Sequence, residues 1–120
     1  MKKSIVRDKS KVFALSIINL YKHLTSNKKE YVISKQILRS GTSIGANVNE
    51  ALCSISKKEY LSKMYISYKE ASESQYWLEL LIESGYYDKA FFAYNSLMDN
   101  HSADWRIWWG MLRSRTQNFL

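Results

Sequence analysis

Hydrophobic side chains return along this chain every three or four residues, the repeat of an amphipathic helix. Phe13, Ile17, Leu20, Tyr21 and Leu24 form a first stripe, which predicts a helix from about Asp8 or Ser10 to Ser26. The stretch Thr25 to Lys29 is polar and turn-prone and reads as the first loop. A second stripe, Ile33, Ile37, Ile44, Val48 and Leu52, predicts a helix that opens near Glu30 or Tyr31. Ser40, Gly41 and Ala51 lie beside it.

Gly41 and Gly45 fall four apart on one face of that helix. Their missing side chains let another backbone come close there. In a solitary helix each would cost about 1 kcal/mol relative to alanine. Two readings follow: one continuous helix, bent or straight, or a break at Gly41 that leaves two short ones. The continuous helix is preferred.

Ser56-Lys57-Lys58-Glu59 is a capping box, with the Ser56 hydroxyl placed to accept from the Glu59 N–H. It opens a third helix that runs to about Ser84, with Gly85 suited to the left-handed position just beyond. Its inner stripe is Leu61, Met64, Tyr65, Tyr68, Ala71, Gln75, Leu78 and Ile82. Glu59 with Lys63, and Lys69 with Glu73, are spaced as ion pairs on the wet face. Asp88 can cap a fourth helix, which Tyr94, Met98, His101, Trp105, Trp108, Leu112 and Arg115 carry to about Gln117. Four helices joined by short links predict an all-α, up-down-up-down four-helix bundle. One domain spans residues 1–120, with residues 1–8 read as a disordered lead-in.

Composition agrees with this picture. The chain has no proline and only four glycines, too few for the many turns of a sheet-rich fold. Its 120 residues can enclose a core. No apolar run approaches the roughly 20 residues that span a bilayer. The basic opening Met1 to Asp8 lacks the apolar core of a signal peptide, so a cytoplasmic protein with no membrane partner is expected. Cys53 is the sole cysteine, which excludes an internal disulfide and predicts a buried thiol.

Charge is uneven. Residues 1–69 hold 14 Lys/Arg against 4 Asp/Glu, whereas residues 70–120 hold 4 against 7. A basic half of this size can attract phosphate backbones or an acidic protein, or can simply confer solubility.

The stretches Tyr31 to Gln36, Arg39 to Ala51 (Arg-Ser-Gly-Thr-Ser-Ile-Gly-Ala-Asn-Val-Asn-Glu-Ala) and Ser56 to Tyr60, with Ala71 to Tyr86, carry a family resemblance. The chain resembles the four-helix-bundle proteins encoded in intervening sequences of bacterial 23S ribosomal RNA genes, over about Phe13 to Tyr87. Gly45 departs from the family pattern, in which proline is frequent, and Ala51-Leu52 stands where glycine often follows the Asn-x-x-Glu element. Many members are bundles of unknown function. A related accessory protein of diversity-generating retroelements is a basic pentameric barrel that associates with a reverse transcriptase and nucleic acid. The resemblance therefore implies a homo-oligomer, a homopentameric ring, with a basic surface for RNA or DNA and a reverse transcriptase or other protein as partner.

Candidate chemistry is sparse. Asn47 and Glu50 match the family's Asn-x-x-Glu element and are read as structural hydrogen-bonding residues between helices or subunits. No Glu-x-x-His pair exists for a metal-binding bundle. His101 reads as a core or interface residue, and His23 as a surface residue near a helix end. No phosphate loop, nucleophile–base pair or cofactor motif is present, so no enzyme, metal or cofactor is expected. The candidate phosphate contacts are Lys35 and Arg39 on the second helix with Lys57, Lys58 and Lys63 on the third. A second cluster comprises Lys2, Lys3, Arg7, Lys9 and Lys11. Solvated helix faces explain the same charges. Trp105, Trp108 and Trp109 could stack on single-stranded bases, but are assigned with Gly41 and Gly45 to helix or subunit contact. The leading expectation is a non-enzymatic, oligomeric bundle that binds nucleic acid as an accessory protein. A protein-interaction scaffold is the alternative, and a helix-turn-helix with Ile44 to Ser54 as recognition helix ranks third.

Overall fold

The computed structural model describes residues 5–98, which form four helices: α1 (Ile5–Ser26), α2 (Ile33–Leu52), α3 (Lys57–Glu83) and α4 (Tyr87–Leu97). Each packs against its neighbours in the chain, and α4 packs back on α1, which closes the bundle. Helix α1 starts ahead of the expected Asp8 or Ser10. The expected course of α4 to Gln117 lies outside the described residues, as do His101, Trp105, Trp108, Trp109, Lys2 and Lys3.

Local chemistry sets the helix ends. The Glu30 carboxylate accepts from the Val32, Ile33 and Ser34 N–H groups at 3.1, 3.0 and 2.7 Å, so α2 starts at Ile33, beyond the expected Glu30 or Tyr31. Ser56 Oγ accepts from the Glu59 N–H at 3.1 Å, as the capping box requires. The Glu59 side chain accepts from the Ile55 N–H, one residue ahead of the Ser56 N–H that a capping box uses. At the end of α3, Tyr86 N–H donates to the Leu81 carbonyl at 2.8 Å and Gly85 N–H to Ile82 at 3.3 Å, with Gly85 at φ +106°. This Schellman turn leaves only Ser84, Gly85 and Tyr86 between the two helices. Asp88 therefore falls inside the first turn of α4 instead of capping it.

Helix α2 is unbroken across Gly41, which removes the helix-turn-helix reading. It is also the most enclosed helix, flanked by α1 and α3. A Cβ at Gly41 would lie 2.8 Å from Ile17 Cγ1, and one at Gly45 would lie 3.2 Å from Ser10 Oγ and 3.6 Å from the Ser10 carbonyl carbon. The two glycines thus admit α1 as their spacing predicts. Towards α3 the contact is made by serines: Ser67 Oγ donates to the Ile44 carbonyl, and Ser74 and Ser40 share a 2.9 Å hydrogen bond.

The core is built on Phe13, Ile17, Leu20 and Leu24 of α1, Ile37 and Ile44 of α2, Leu78 and Leu81 of α3, and Ala90, Ala93 and Leu97 of α4. The inner face of α3 is rotated from the expected stripe. Ser67, Ser74 and Leu81 are buried, while Tyr65, Tyr68, Gln75 and Ile82 sit at the margin. The serines can face inward because α2 satisfies them. Leu52, expected inside, is 47% exposed, since Ala51 takes the core position. Cys53 caps the end of α2 and is exposed, which corrects the expected buried thiol.

Candidate nucleic-acid interface

The two ends of the bundle differ in how its cations are held. Helices α1 and α3 begin at the same end, because α2 runs back between them and contacts both. Two neighbouring α2 residues mark this end: Asn49 Oδ1 accepts from Arg7 Nε at 2.8 Å, and Glu50 Oε1 lies 3.4 Å from Lys63 Nζ. Around them stand Lys57 and Lys58, exposed on the first turn of α3, and Lys9 and Lys11 on α1. The N-termini of α1 and α3 add the partial positive charge of their dipoles here. This end therefore joins the described members of the N-terminal cluster to three residues of the other candidate set.

Lys35 and Arg39 are elsewhere. Helix rises about 1.5 Å per residue, so roughly 25 Å separates Lys35 from the far end of α2 at Leu52. The five candidate phosphate contacts consequently do not form one patch.

Arg39 is moreover occupied. Its guanidinium donates to Glu70 at 3.2 Å and to Glu73, both on α3. Glu73 also accepts from Trp77 Nε1 at 2.9 Å. That indole hydrogen bond, reinforced by Arg39 against partial burial, holds the Glu73 carboxyl below the usual range. The Glu73 hydrogen bond and both carboxylate charges raise Arg39 further. Glu73 is therefore spent on α2, not on Lys69, whose ammonium lies over the Tyr65 ring. Lys63 likewise pairs with Glu50 and not with the expected Glu59.

Asn47 Nδ2 donates to the Ser43 carbonyl of its own helix at 2.8 Å, whereas Glu50 crosses to α3. The matched pair thus diverges: Asn47 ties back to α2 and Glu50 links two helices. His23 is at the end of α1, where Nδ1 lies 3.2 Å from Asn27 Nδ2. Sequence periodicity missed the Arg7–Asn49 bond and the Arg39 network, since both join residues more than thirty positions apart. A basic–acidic match between α2 and α3 was the one available signal.

Among the described residues, no group of three or more His, Cys, Asp or Glu is placed to hold a metal ion. A groove of about 560 Å³ lies between α1 and α4, with Val12, Leu15 and Phe92 on its walls and Asp88 and Lys89 at its edge. No described helix is long and apolar enough to cross a membrane.

No curated protein matches the chain. It is similar to a crystal structure of a protein with unknown function from the S23 ribosomal protein family of Bacteroides thetaiotaomicron, at 48% identity and a TM-score of 0.76. That similarity covers 79% of this chain and 90% of the other. The model of the 23S rRNA-intervening sequence protein family matches residues 2–102. A match of this extent, which takes in the Gly41–Gly45 helix contact and the serine-lined interface, makes the chain a member of the 23S rRNA-intervening sequence protein family.

Proposed function

We propose that this chain is a non-enzymatic, oligomeric accessory protein that binds RNA or DNA through the end of the bundle where α1 and α3 begin. The observation that carries this reading is the convergence of Lys57, Lys58, Lys63, Arg7, Lys9 and Lys11 on that end, beside two helix N-termini. Such cations track phosphates with little sequence selectivity, and a cyclic assembly such as a pentamer would repeat them about its axis and raise avidity. A cytoplasmic reverse transcriptase or another nucleic-acid enzyme is the kind of partner such an accessory would serve.

The test is a titration against structured RNA, single-stranded DNA and duplex DNA at several salt concentrations. Affinity should fall steeply with salt. Lys57→Glu with Lys58→Glu should weaken binding and flatten the salt dependence, while Lys35→Glu should do so much less. Absence of binding at low salt would overturn the proposal.

The second reading, a protein-interaction scaffold, is favoured by one observation. Ile55, in the turn between α2 and α3, is 96% exposed beside exposed Leu52 and Cys53. A partner that binds this turn would be lost on Ile55→Asp with nucleic-acid affinity unchanged.

A further inference from the structure

Helix α4 packs on both α1 and α3 and shows each a different face. Lys89 and Phe92 line the groove against α1. Tyr87 and Phe91 each fall two positions from Lys89, roughly half a helical turn, and so stand on the α3 side. Their rings stack, with centroids 4.9 Å apart and planes 13° from parallel. Even so, Tyr87 is 52% and Phe91 39% exposed. The pair holds its own geometry while keeping open ring surface towards solvent.

Carboxylates face this pair across the seam. On α3, Glu70 and Glu73 turn to α2, where Arg39 holds them. Glu79 lies nine positions beyond Glu70, about two and a half turns, and so faces away from α2. The turn from α3 to α4 is only three residues long, Ser84 to Tyr86. Counted back from it along the two antiparallel helices, Glu83 is level with Tyr87 and Glu79 with Phe91. Among the described residues neither carboxylate is in an ion pair, and Glu79 has only Gln75 Nε2 at 3.4 Å. Residues 70–98 hold five Asp/Glu against one Lys, which is Lys89 on the far side of α4.

We propose that the Tyr87–Phe91 seam docks an arginine-rich segment of a partner protein. An exposed ring face attracts a cation, and Lys69 over Tyr65 shows the same contact further down α3. A guanidinium is flat and weakly hydrated, so it stacks on a ring while its N–H groups fork to carboxylates. A lysine ammonium finds the carboxylates but loses the stacking. Nucleic acid is repelled by the same charges. The seam lies at the opposite end of α3 from Lys57 and Lys58, about 40 Å of helix away. This goes beyond the nucleic-acid reading: the two ends of the molecule take partners of opposite charge.

The test is a fluorescence-anisotropy titration of the full-length protein with labelled hexa-arginine and hexalysine peptides at low and moderate salt. Circular dichroism checks that each variant is folded. Hexa-arginine should bind more tightly than hexalysine. Tyr87→Leu with Phe91→Leu keeps apolar bulk, and should weaken hexa-arginine about 2–5-fold and bring it level with hexalysine. Glu79→Gln with Glu83→Gln should weaken both peptides. Equal affinity of wild type for the two peptides, or hexa-arginine binding unchanged in both double variants, would overturn the proposal. Tighter hexa-arginine binding after Arg106→Ala, Arg113→Ala and Arg115→Ala in the full chain would name its own C-terminal arginines as the occupant and overturn it. A fall in the protein's own mass on Tyr87→Leu with Phe91→Leu would give the seam to a second copy and overturn it as well.

Discussion

Ser67 on α3 donates a hydrogen bond from its hydroxyl to the Ile44 carbonyl on α2, 2.9 Å away and sealed from water. That carbonyl lies within a continuous helix, so the added bond fixes the height of one helix against the other. Ser67→Ala should lower unfolding free energy by about 0.5–1.5 kcal/mol, the net worth of one such bond. Ser67→Leu should cost more, because the interface has no room for extra methylenes. Denaturant melts of the two variants check both the sign and the order.

Gly41 and Gly45 should respond differently to alanine. At Gly41 the new Cβ would strike Ile17, a fully buried branched side chain. Overpacking of about 1–3 kcal/mol there equals or exceeds the roughly 1 kcal/mol gained in helix propensity. At Gly45 the neighbour is the Ser10 hydroxyl, which yields by a few tenths of an ångström. Gly41→Ala should therefore melt lower than Gly45→Ala by several degrees, since about 1 kcal/mol moves the midpoint of a domain this size by ~3–6 °C.

Gly85→Ala meets no steric neighbour, yet it should destabilise the protein. Its φ of +106° is strained for any residue with a Cβ. The Schellman turn between α3 and α4 depends on that conformation. A loss of about 1 kcal/mol in a denaturant melt is expected, with Gly85→Asn milder than Gly85→Ala.

Acid should loosen α2 at two points. Burial acts against the Glu30 charge, but the N–H groups of Ile33, Ser34 and Val32 outweigh it and hold the carboxyl below its usual range. Glu73 is held low by Trp77 and Arg39. A depressed carboxyl stabilises the fold fully above its unfolded pKa, about 4.3 for Glu. That stability is lost as the pH falls through the lower folded value. Melting temperature should thus drop below about pH 4.3, and Glu30→Gln should flatten the drop. Arg39→Gln should cost less than about 1 kcal/mol at neutral pH, since the Arg39 side chain is half exposed.

The number and order of the helices among the described residues were legible because burial imposes a period on each, and the capping box at Ser56 and the glycine at 85 punctuate them. The glycine contact was legible for the same reason: two bare positions four apart on an otherwise apolar face have few other uses. The rotation of α3 was not. Ser67 and Ser74 look like solvent positions until the α2 groups that satisfy them are known, and those lie 23 and 34 residues away. The charge bias of the chain was plain, but its grouping was not. Lys57, Lys58 and Lys63 join the N-terminal cations only through the antiparallel return of α2, and Arg39 is withdrawn by carboxylates 31 and 34 residues further on.

The closure of α4 on α1 has a kinetic consequence. The other helix contacts join elements that follow one another in the chain, and such local pairings form quickly. The α1–α4 contact alone must draw together the two ends of the described chain, so it carries the greatest loop-closure entropy. The contacts between consecutive helices should therefore be structured at the folding barrier, with the seam between α1 and α4 closing late. Amide exchange would report this order as weaker protection in α4 than in α2, the helix held on both sides.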